Sequence, residues 1–379
     1  MLIANRHQFN DGQGRVNYEV ALAALNSGVK VILLTSYCAD EIANHPNARF
    51  IRIGNERLPT QLLKNLAFAR DSANWLKQHK GEWDVVQANG FVTWERCDIV
   101  TAHFVHTAWA ANPYFPYSRS LHPYALYQRL FTALNASWER PAFQNAQHVI
   151  AVSQTVANEV HMLGVPRERI EIIHNGVDVD QFRPGPSERD AFHLPQGIPL
   201  ALFVGDIRSP RKNLDTVLKA MQRVPKIHLV VAGDTKRSLA PSLAKSLGLE
   251  DRTHFLGKTP NVAGLMRSVD LFVFPSRYEP FGLVVLEAMA SGLPVIASKC
   301  IGAVAPFDDV VELVDDPDDA DALASSVSAL LDSPERRARM SQSARQKVLA
   351  FSWTETTRAY LKTYETIANK LGLPAKPIE

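Results

Sequence analysis

Phe274-Pro275-Ser276-Arg277-Tyr278-Glu279-Pro280-Phe281-Gly282-Leu283-Val284-Val285-Leu286-Glu287-Ala288-Met289-Ala290-Ser291-Gly292-Leu293-Pro294-Val295-Ile296-Ala297-Ser298 is the stretch from which the fold can be read. An apolar run ends at Pro275, a loop carries Glu279, Gly282 opens a helical pattern, and a second apolar run follows Gly292-Leu293-Pro294. Strand, loop, helix and strand in that order make a βαβ unit with parallel pairing and a right-handed crossover. A glycine at the helix start lets an anion reach the free N–H groups with no Cβ in the way. The helix dipole adds about 0.3–1 kcal/mol for a negative group there. The segment therefore predicts a seat for a diphosphate. Glu279, in the loop before it, can meet sugar hydroxyls, and Glu287, inside the helix, can face the same side and take a ribose. Either glutamate alone reads as a solvated side chain of a plain turn; the whole run together does not.

Outward from this unit the same alternation continues. Apolar runs predict strands at 2–5, 30–35, 49–53, 84–87, 99–105, 148–152 and 170–173, then at 199–204, 227–232, 253–256, 271–275, 294–297 and 311–314. Helical patterns lie between most of them, as at 15–27, 59–80, 154–163, 214–223 and 283–291. Such alternation argues for an α/β fold of doubly wound parallel sheets. The Pro- and charge-rich stretch Gln181-Phe182-Arg183-Pro184-Gly185-Pro186-Ser187-Glu188 separates two strand series. It divides the chain into a first domain at 1–180, a linker at 181–198, a second domain at 199–350 and a terminal helical pattern at 351–379. Doubly wound domains bind ligands at the carboxyl ends of their strands. If those ends face each other, the expected site is a cleft.

The whole-chain numbers exclude other classes. A formal net charge of +2 gives no reason to expect a nucleic-acid partner. Residues 1–180 carry sixteen Lys/Arg and sixteen Asp/Glu, so any basic membrane-facing patch must be local. Cys38, Cys97 and Cys300 have no metal-ligand or CxxC spacing and read as small buried hydrophobes in a reducing compartment. The start of the chain has no charged segment leading into an apolar core, so no signal peptide is expected. No run reaches about 18 apolar residues, so no transmembrane helix is expected either. The expectation is a cytoplasmic protein.

The Pro-Ser…Glu-Pro-Phe-Gly…Glu-Ala-Met-Ala-Ser-Gly-Leu-Pro-Val run resembles glycosyltransferase family 4, whose members are retaining enzymes of the GT-B fold. The resemblance spans nearly the whole chain. Asp11-Gly12-Gln13-Gly14-Arg15 resembles the family's N-terminal glycine loop, and His174-Asn175-Gly176-Val177-Asp178 its turn before the linker. Val204-Gly205-Asp206-Ile207-Arg208 with Arg211-Lys212-Asn213 resembles the donor-phosphate segment, and Phe351-Ser352-Trp353 the start of a helix crossing back to the first domain. The resemblance implies two Rossmann-like domains facing each other and a nucleotide-sugar donor, UDP- or GDP-linked, used as substrate. It implies no metal and no further cofactor.

It also implies roles at matching positions. Glu279 would bond the donor sugar and Glu287 the ribose, while Phe281, Gly282 and Leu283 line the diphosphate seat. Gly205 would let the donor phosphates approach, and Gly12 and Gly14 the donor phosphates or the acceptor. Lys212, with an upstream arginine, would neutralise the leaving phosphate, whose charge grows as the sugar–phosphate bond stretches. The family's arginine directly after the strand-end glycine is here Asp206, so Arg208 is taken as its substitute. In the first domain His106, followed by Thr107, matches the family's sugar-contacting histidine, with His103 in reserve; either reads otherwise as a core histidine. Arg15 is a candidate anion contact or simply part of a helix start. Gly12-x-Gly14-x-x-Asn17 lacks the third glycine of a dinucleotide fingerprint.

Three further segments have competing readings. Asp315-Asp316-Pro317-Asp318-Asp319 invites a metal, but its place before a helix favours capping. Ile301-Gly302-Ala303-Val304 lacks the family's glutamate after a glycine pair, which bears on base or sugar preference. The aromatic-rich stretch 113–138, with Arg119, Arg129 and Arg140, suits an acceptor-side or peripheral membrane element; Tyr124, Tyr127 and Phe131, at helical spacing, read as core. Taken together the chain reads as a retaining glycosyltransferase acting on a glycan or lipid-linked glycan acceptor. The alternatives are a nucleotide-sugar epimerase of the same fold and a non-catalytic two-lobed sugar-binding protein. An NAD-dependent dehydrogenase is weaker.

Overall fold

The computed structural model describes residues 1–8 and 12–373. The chain divides into two compact units, Met1–Asn175 together with Trp353–Glu379, and Gly176–Ser352.

The first unit is built on a seven-stranded parallel sheet. Its strands are β1 (Leu2–Ile3), β2 (Val31–Thr35), β3 (Ala48–Arg52), β4 (Gln87–Asn89), β5 (Ile99–Ala102), β6 (His148–Ala151) and β7 (Ile170–Ile172). They lie in the order β3-β2-β1-β4-β5-β6-β7. Among the helices, α1 spans Gly12–Asn26, α2 Gln61–Gln78, α3 His106–Ala111 and α4 Pro123–Asn145. The second unit carries β8 (Leu200–Val204), β9 (His228–Ala232), β10 (Thr253–Gly257), β11 (Leu271–Phe274), β12 (Val295–Ser298) and β13 (Glu312–Val314), ordered β10-β9-β8-β11-β12-β13. Its helix α5 spans Leu283–Ala290, and α6 (Trp353–Lys370) belongs to the first unit. Central strands such as Leu271-Phe272-Val273-Phe274 are buried throughout, as parallel strands covered on both faces must be. In each sheet the first strand lies beside the fourth, so the winding direction reverses there and leaves a crevice at the carboxyl ends.

Every expected strand is present, with instructive shifts. The one expected at 84–87 forms at Gln87–Asn89. The residues before it use their backbone otherwise: the Met1 ammonium donates to the Val85 carbonyl at 2.6 Å, and the Asp98 carboxylate accepts the Val86 N–H at 2.9 Å. The strand expected at 99–105 stops at Ala102 because the chain turns into α3. Helix α1 begins at Gly12, three residues early; Asp11, named in the glycine loop, lies outside the described residues. A small parallel pair, Arg6–His7 with Tyr37–Cys38, had no sequence signal.

The proline-rich stretch after residue 180 is fastened to the second unit. Arg189 donates to the carbonyls of Pro195, Ile198 and Ser268 and to the Asp270 carboxylate at 2.8 Å. Helix α6 packs on the first sheet: Tyr360 and Ile367 share a core with Val16, Ile99, Ile150 and Ile173, and the Tyr364 hydroxyl donates to Gln87 Oε1 at 2.5 Å. Along α4 the core reading of Tyr124 fails, since it is 55% exposed. Tyr127 and Phe131 are half-buried. Among the described residues no helix is long and apolar enough to cross a membrane.

Candidate functional site

At the crevice of the second unit, β8 runs out into Gly205 and β11 into Pro275. The turn Pro210–Lys212 follows β8 and is pinned onto the loop after β11: the Arg211 carbonyl accepts from the Arg277 N–H at 2.8 Å and the Ser276 hydroxyl at 2.9 Å. Asn213, fully buried with a left-handed φ of 64°, completes the fastening. Its Nδ2 donates to the carbonyls of Pro275 (2.9 Å) and Pro317 (2.6 Å). This lattice brings two basic side chains onto one carboxylate. Lys212 Nζ forms an ion pair with Glu279 Oε2, and Arg211 Nη1 reaches the same oxygen at 3.2 Å and the Tyr278 carbonyl at 2.8 Å. The Lys212 ammonium also lies 5.1 Å from the centroid of the Phe274 ring.

Burial by itself would raise the Glu279 carboxyl pKa, but Lys212 and Arg211 beside it prevail and hold it below the usual range. Lys212 is pulled below its ordinary value by burial, with Glu279 opposing and Arg211 adding to the shift. Glu279 has two cations to stabilise its charge, whereas Lys212 has Glu279 and, less strongly, Asp206 in its favour and Arg211 as a repelling neighbour. The trio carries one positive charge in excess, in surroundings where charges are weakly screened. Such a cluster attracts an anion.

The backbone around it is shaped for close approach. Gly282 adopts φ +100°, and a Cβ there would sit 2.8 Å from Ile301 Cγ2 and 3.2 Å from Glu279 Cγ. Only glycine fits without strain. Gly282 caps α5 and its carbonyl accepts the Val285 N–H at 2.9 Å, while the N–H groups at a helix start before that point have no acceptor within the helix. Gly205 packs against the Lys212 stem, 3.8 Å from Cγ to where its Cβ would be. Phe281 is buried, its carbonyl accepting the Ala303 N–H at 2.8 Å, and the Glu279 carbonyl accepts the Gly302 N–H at 2.8 Å. The segment lacking the family's glutamate thus lies directly against the Glu279 loop. Glu287 is half-buried in the second turn of α5.

Arg208 is not the arginine that meets Glu279. It is exposed and bound to Asp206 at 2.8 Å, with Asp234 at 3.7 Å. The arginine that joins Lys212 on Glu279 is Arg211. The reason is local: Asp206, two residues before Arg208, claims its guanidinium, while the tight turn at Pro210 swings Arg211 toward the β11 loop. In the acidic run, Asp319 caps the next helix by accepting the N–H groups of Asp321 and Ala322, and Asp318 pairs with Arg277 at 2.6 Å. Among the described residues no group of three or more His, Cys, Asp or Glu is placed to hold a metal.

In the first unit Gly12 and Gly14 form the first turn of α1. Arg15 bonds Glu19 at 2.6 Å and lies 5.6 Å from the Trp353 ring centroid. His103 follows β5; its Nε2 is shielded and has no hydrogen-bond partner among the described residues, and burial pushes its pKa down to about 4, so the ring is neutral. His106 opens α3 and is held by Glu139, a carboxylate only 2% exposed that sits 33 residues away on α4. Sequence reading missed Glu139, yet a signal existed. Thr132, Asn135, Glu139 and Phe143 follow one face of α4, so polar residues occupy core positions of a helix. Asn213 carried only the resemblance of its segment, and Arg211 only that and its place beside Lys212 at a helix start, where a cation opposes the dipole unless an anion is bound.

Both halves of the chain match known families: residues 10–181 the one described as Glycosyltransferase Family 4, and residues 186–347 the one described as Glycosyl transferases group 1. A D-inositol 3-phosphate glycosyltransferase of Mycobacterium avium is 33% identical over 329 residues, covering 81% of this chain and 74% of that protein. Sucrose-phosphate synthase from Thermosynechococcus elongatus superposes with a TM-score of 0.79 at 22% identity, covering 97% of this chain and 98% of that one. The Anabaena protein HepE, solved in complex with UDP-glucose, superposes with a TM-score of 0.70 at 20% identity, covering 97% and 100%. The fold is GT-B, and the chain is a member of this glycosyltransferase family.

Proposed function

We propose that this glycosyltransferase moves a sugar from a UDP- or GDP-linked donor to a hydroxyl of a glycan or lipid-linked glycan, with retention and without a metal. The observation that carries the reading is the buried trio Lys212, Arg211 and Glu279 beside the helix start at Gly282. The N–H groups of that helix start take the diphosphate, and the two cations meet the charge that grows on it as the anomeric C–O bond breaks. The acceptor oxygen bonds to the anomeric carbon on the same face. The leaving phosphate keeps the bonding electron pair and takes the hydroxyl proton. Glu279 then orients the sugar rather than attacking it.

A second reading of the acceptor has its own observation. At the ends of β1, β2 and β3 lies a polar cavity of about 200 Å³ lined by Arg6, Ser36, Asn55, Glu56 and Lys64. That is below the ~300–1,000 Å³ of sites for drug-sized ligands, so it suits a single ring. Arg6 and Lys64 share Glu56 at 3.6 and 3.3 Å, again one positive charge in excess. A small polyol carrying a phosphate fits such a cavity, in line with the name of the mycobacterial relative.

The test is a calorimetric comparison of UDP, GDP, uridine and guanosine, followed by turnover of the corresponding sugars with EDTA present. Diphosphates should bind at least tenfold more tightly than nucleosides. Equal affinity for both would overturn the assignment of the phosphate seat. An acceptor panel containing inositol, inositol phosphate and a lipid-linked glycan separates the two acceptor readings.

A further inference from the structure

Helix α3 begins at the carboxyl end of β5, and its start is organised by one side chain from α4. Glu139 Oε2 accepts the His106 N–H at 2.9 Å and Oε1 accepts the Thr107 N–H at 2.8 Å. The Thr107 hydroxyl donates to Oε1 at 3.1 Å, and the His106 ring meets Oε2 through Nδ1 at 2.8 Å. Among the described residues no lysine or arginine pairs with Glu139. A buried carboxylate lacking a basic partner is costly to keep unless its hydrogen bonds are complete. Capping two N–H groups is a task that Ser, Asn or Asp performs at the cap position itself. A glutamate brought from another helix does something more: it grips the imidazole.

Both carboxylate oxygens already accept hydrogen bonds, so the Nδ1 contact requires the proton on Nδ1. A ring held this way, when neutral, has its lone pair on Nε2. The rings of Phe104 and Phe131 stand edge-on to the imidazole at centroid distances of 5.0 and 6.0 Å and restrict its rotation. A quarter of the His106 side chain (26%) stays open to solvent. The result is an acceptor nitrogen of fixed direction at the carboxyl end of a parallel strand, where doubly wound sheets bind their ligands.

We propose that Glu139 is a positioning residue: it locks His106 in the Nδ1–H tautomer so that Nε2 accepts a hydrogen bond from a hydroxyl of a substrate sugar. The proton stays on that hydroxyl, and no bond is made or broken at the histidine. The role rests on the sugar-transfer reading above but not on the identity of donor or acceptor.

Long-range proton–nitrogen spectra of the full chain, labelled with ¹⁵N-histidine, read the tautomer directly, with His106→Ala identifying the ring. A protonated Nδ1 and a bare Nε2 in the wild type are expected; the opposite tautomer overturns the proposal, whatever the enzyme's substrates. Glu139→Gln keeps the shape and one carbonyl acceptor but cannot accept from both backbone N–H groups and Nδ1 together. It should shift the ring signals and lower kcat with UDP-glucose about 10- to 100-fold, the scale seen when the group behind a working imidazole is lost. The Kd for UDP should be unchanged. His106→Ala should cost about the same, and the double variant no more than His106→Ala alone. Additive losses in the double variant would mean that Glu139 acts independently of His106 and would sink the idea. If Glu139→Gln fails to fold, the wild-type spectrum decides. If no nucleotide-sugar turns over, the tautomer still tests Glu139 while the transfer reading fails separately.

Discussion

Two glutamates, each seated where a parallel sheet ends, have been given opposite partners. Glu279 in the second unit faces Lys212 and Arg211, whereas Glu139 in the first unit faces an imidazole, a hydroxyl and two backbone N–H groups. The first arrangement leaves an excess positive charge, which in the reading proposed above meets phosphate. The second leaves directed hydrogen-bonding groups, which in that reading meet hydroxyls. The same residue type therefore has different surroundings because the cations lie in one unit's loop and the histidine at the other's strand end.

The contrast is most severely tested at Glu279. Glu279→Ala should lower kcat by about 10²–10³ or more while UDP still binds, because the cations and helix start remain. Unchanged turnover would remove Glu279 from the sugar site. Next, Lys212→Ala should slow transfer by about 10²-fold and weaken UDP binding, and Arg211→Ala should follow it in kind. Arg208→Ala, on a guanidinium bound to exposed Asp206, should change either quantity by no more than about threefold, as exposed pairs do. Titration calorimetry on the three variants checks the ranking; Arg208 exceeding Arg211 would restore the arginine expected from the sequence. Smallest, and on stability rather than chemistry, Gly282→Ala must adopt φ +100° against Ile301 and should cost about 1–3 kcal/mol. Its melting temperature should drop, and an unchanged value would mean that the loop relaxes freely.

The pH dependence of stability tests Glu279 further. The Glu279 carboxyl has a folded pKa below its ordinary value of 4.5, so the stability it contributes is complete above that value. It is lost as the pH falls through the lower folded value. Glu279→Gln should therefore flatten the acid limb of a denaturation profile measured below about pH 4.5.

How legible each site was follows from where its parts lie in the chain. The helix start at Gly282 and the glutamates at 279 and 287 occupy nine consecutive positions, so spacing alone relates them. Lys212 stands 67 residues from Glu279, and a resemblance was needed to connect them. The choice between Arg208 and Arg211 turned on which neighbour claims which guanidinium. Glu139 was invisible as a partner of His106, although its place among the core positions of α4 marked it as unusual. Tyr124 erred the other way, since helical spacing says which residues share a face but not whether that face is covered.

Local rules were thus enough for the strands of the two large sheets, the βαβ order, the cap at Asp319 and the glycine at the head of α5, because propensity, periodicity and capping act over a few residues. The pairing of Arg211 with Glu279, the double grip of Asn213 and the hold of Glu139 on His106 were decided by folding alone. Hydrogen bonds and ion pairs act over about 3 Å of space, and only a packed sheet brings residues dozens of positions apart within that reach.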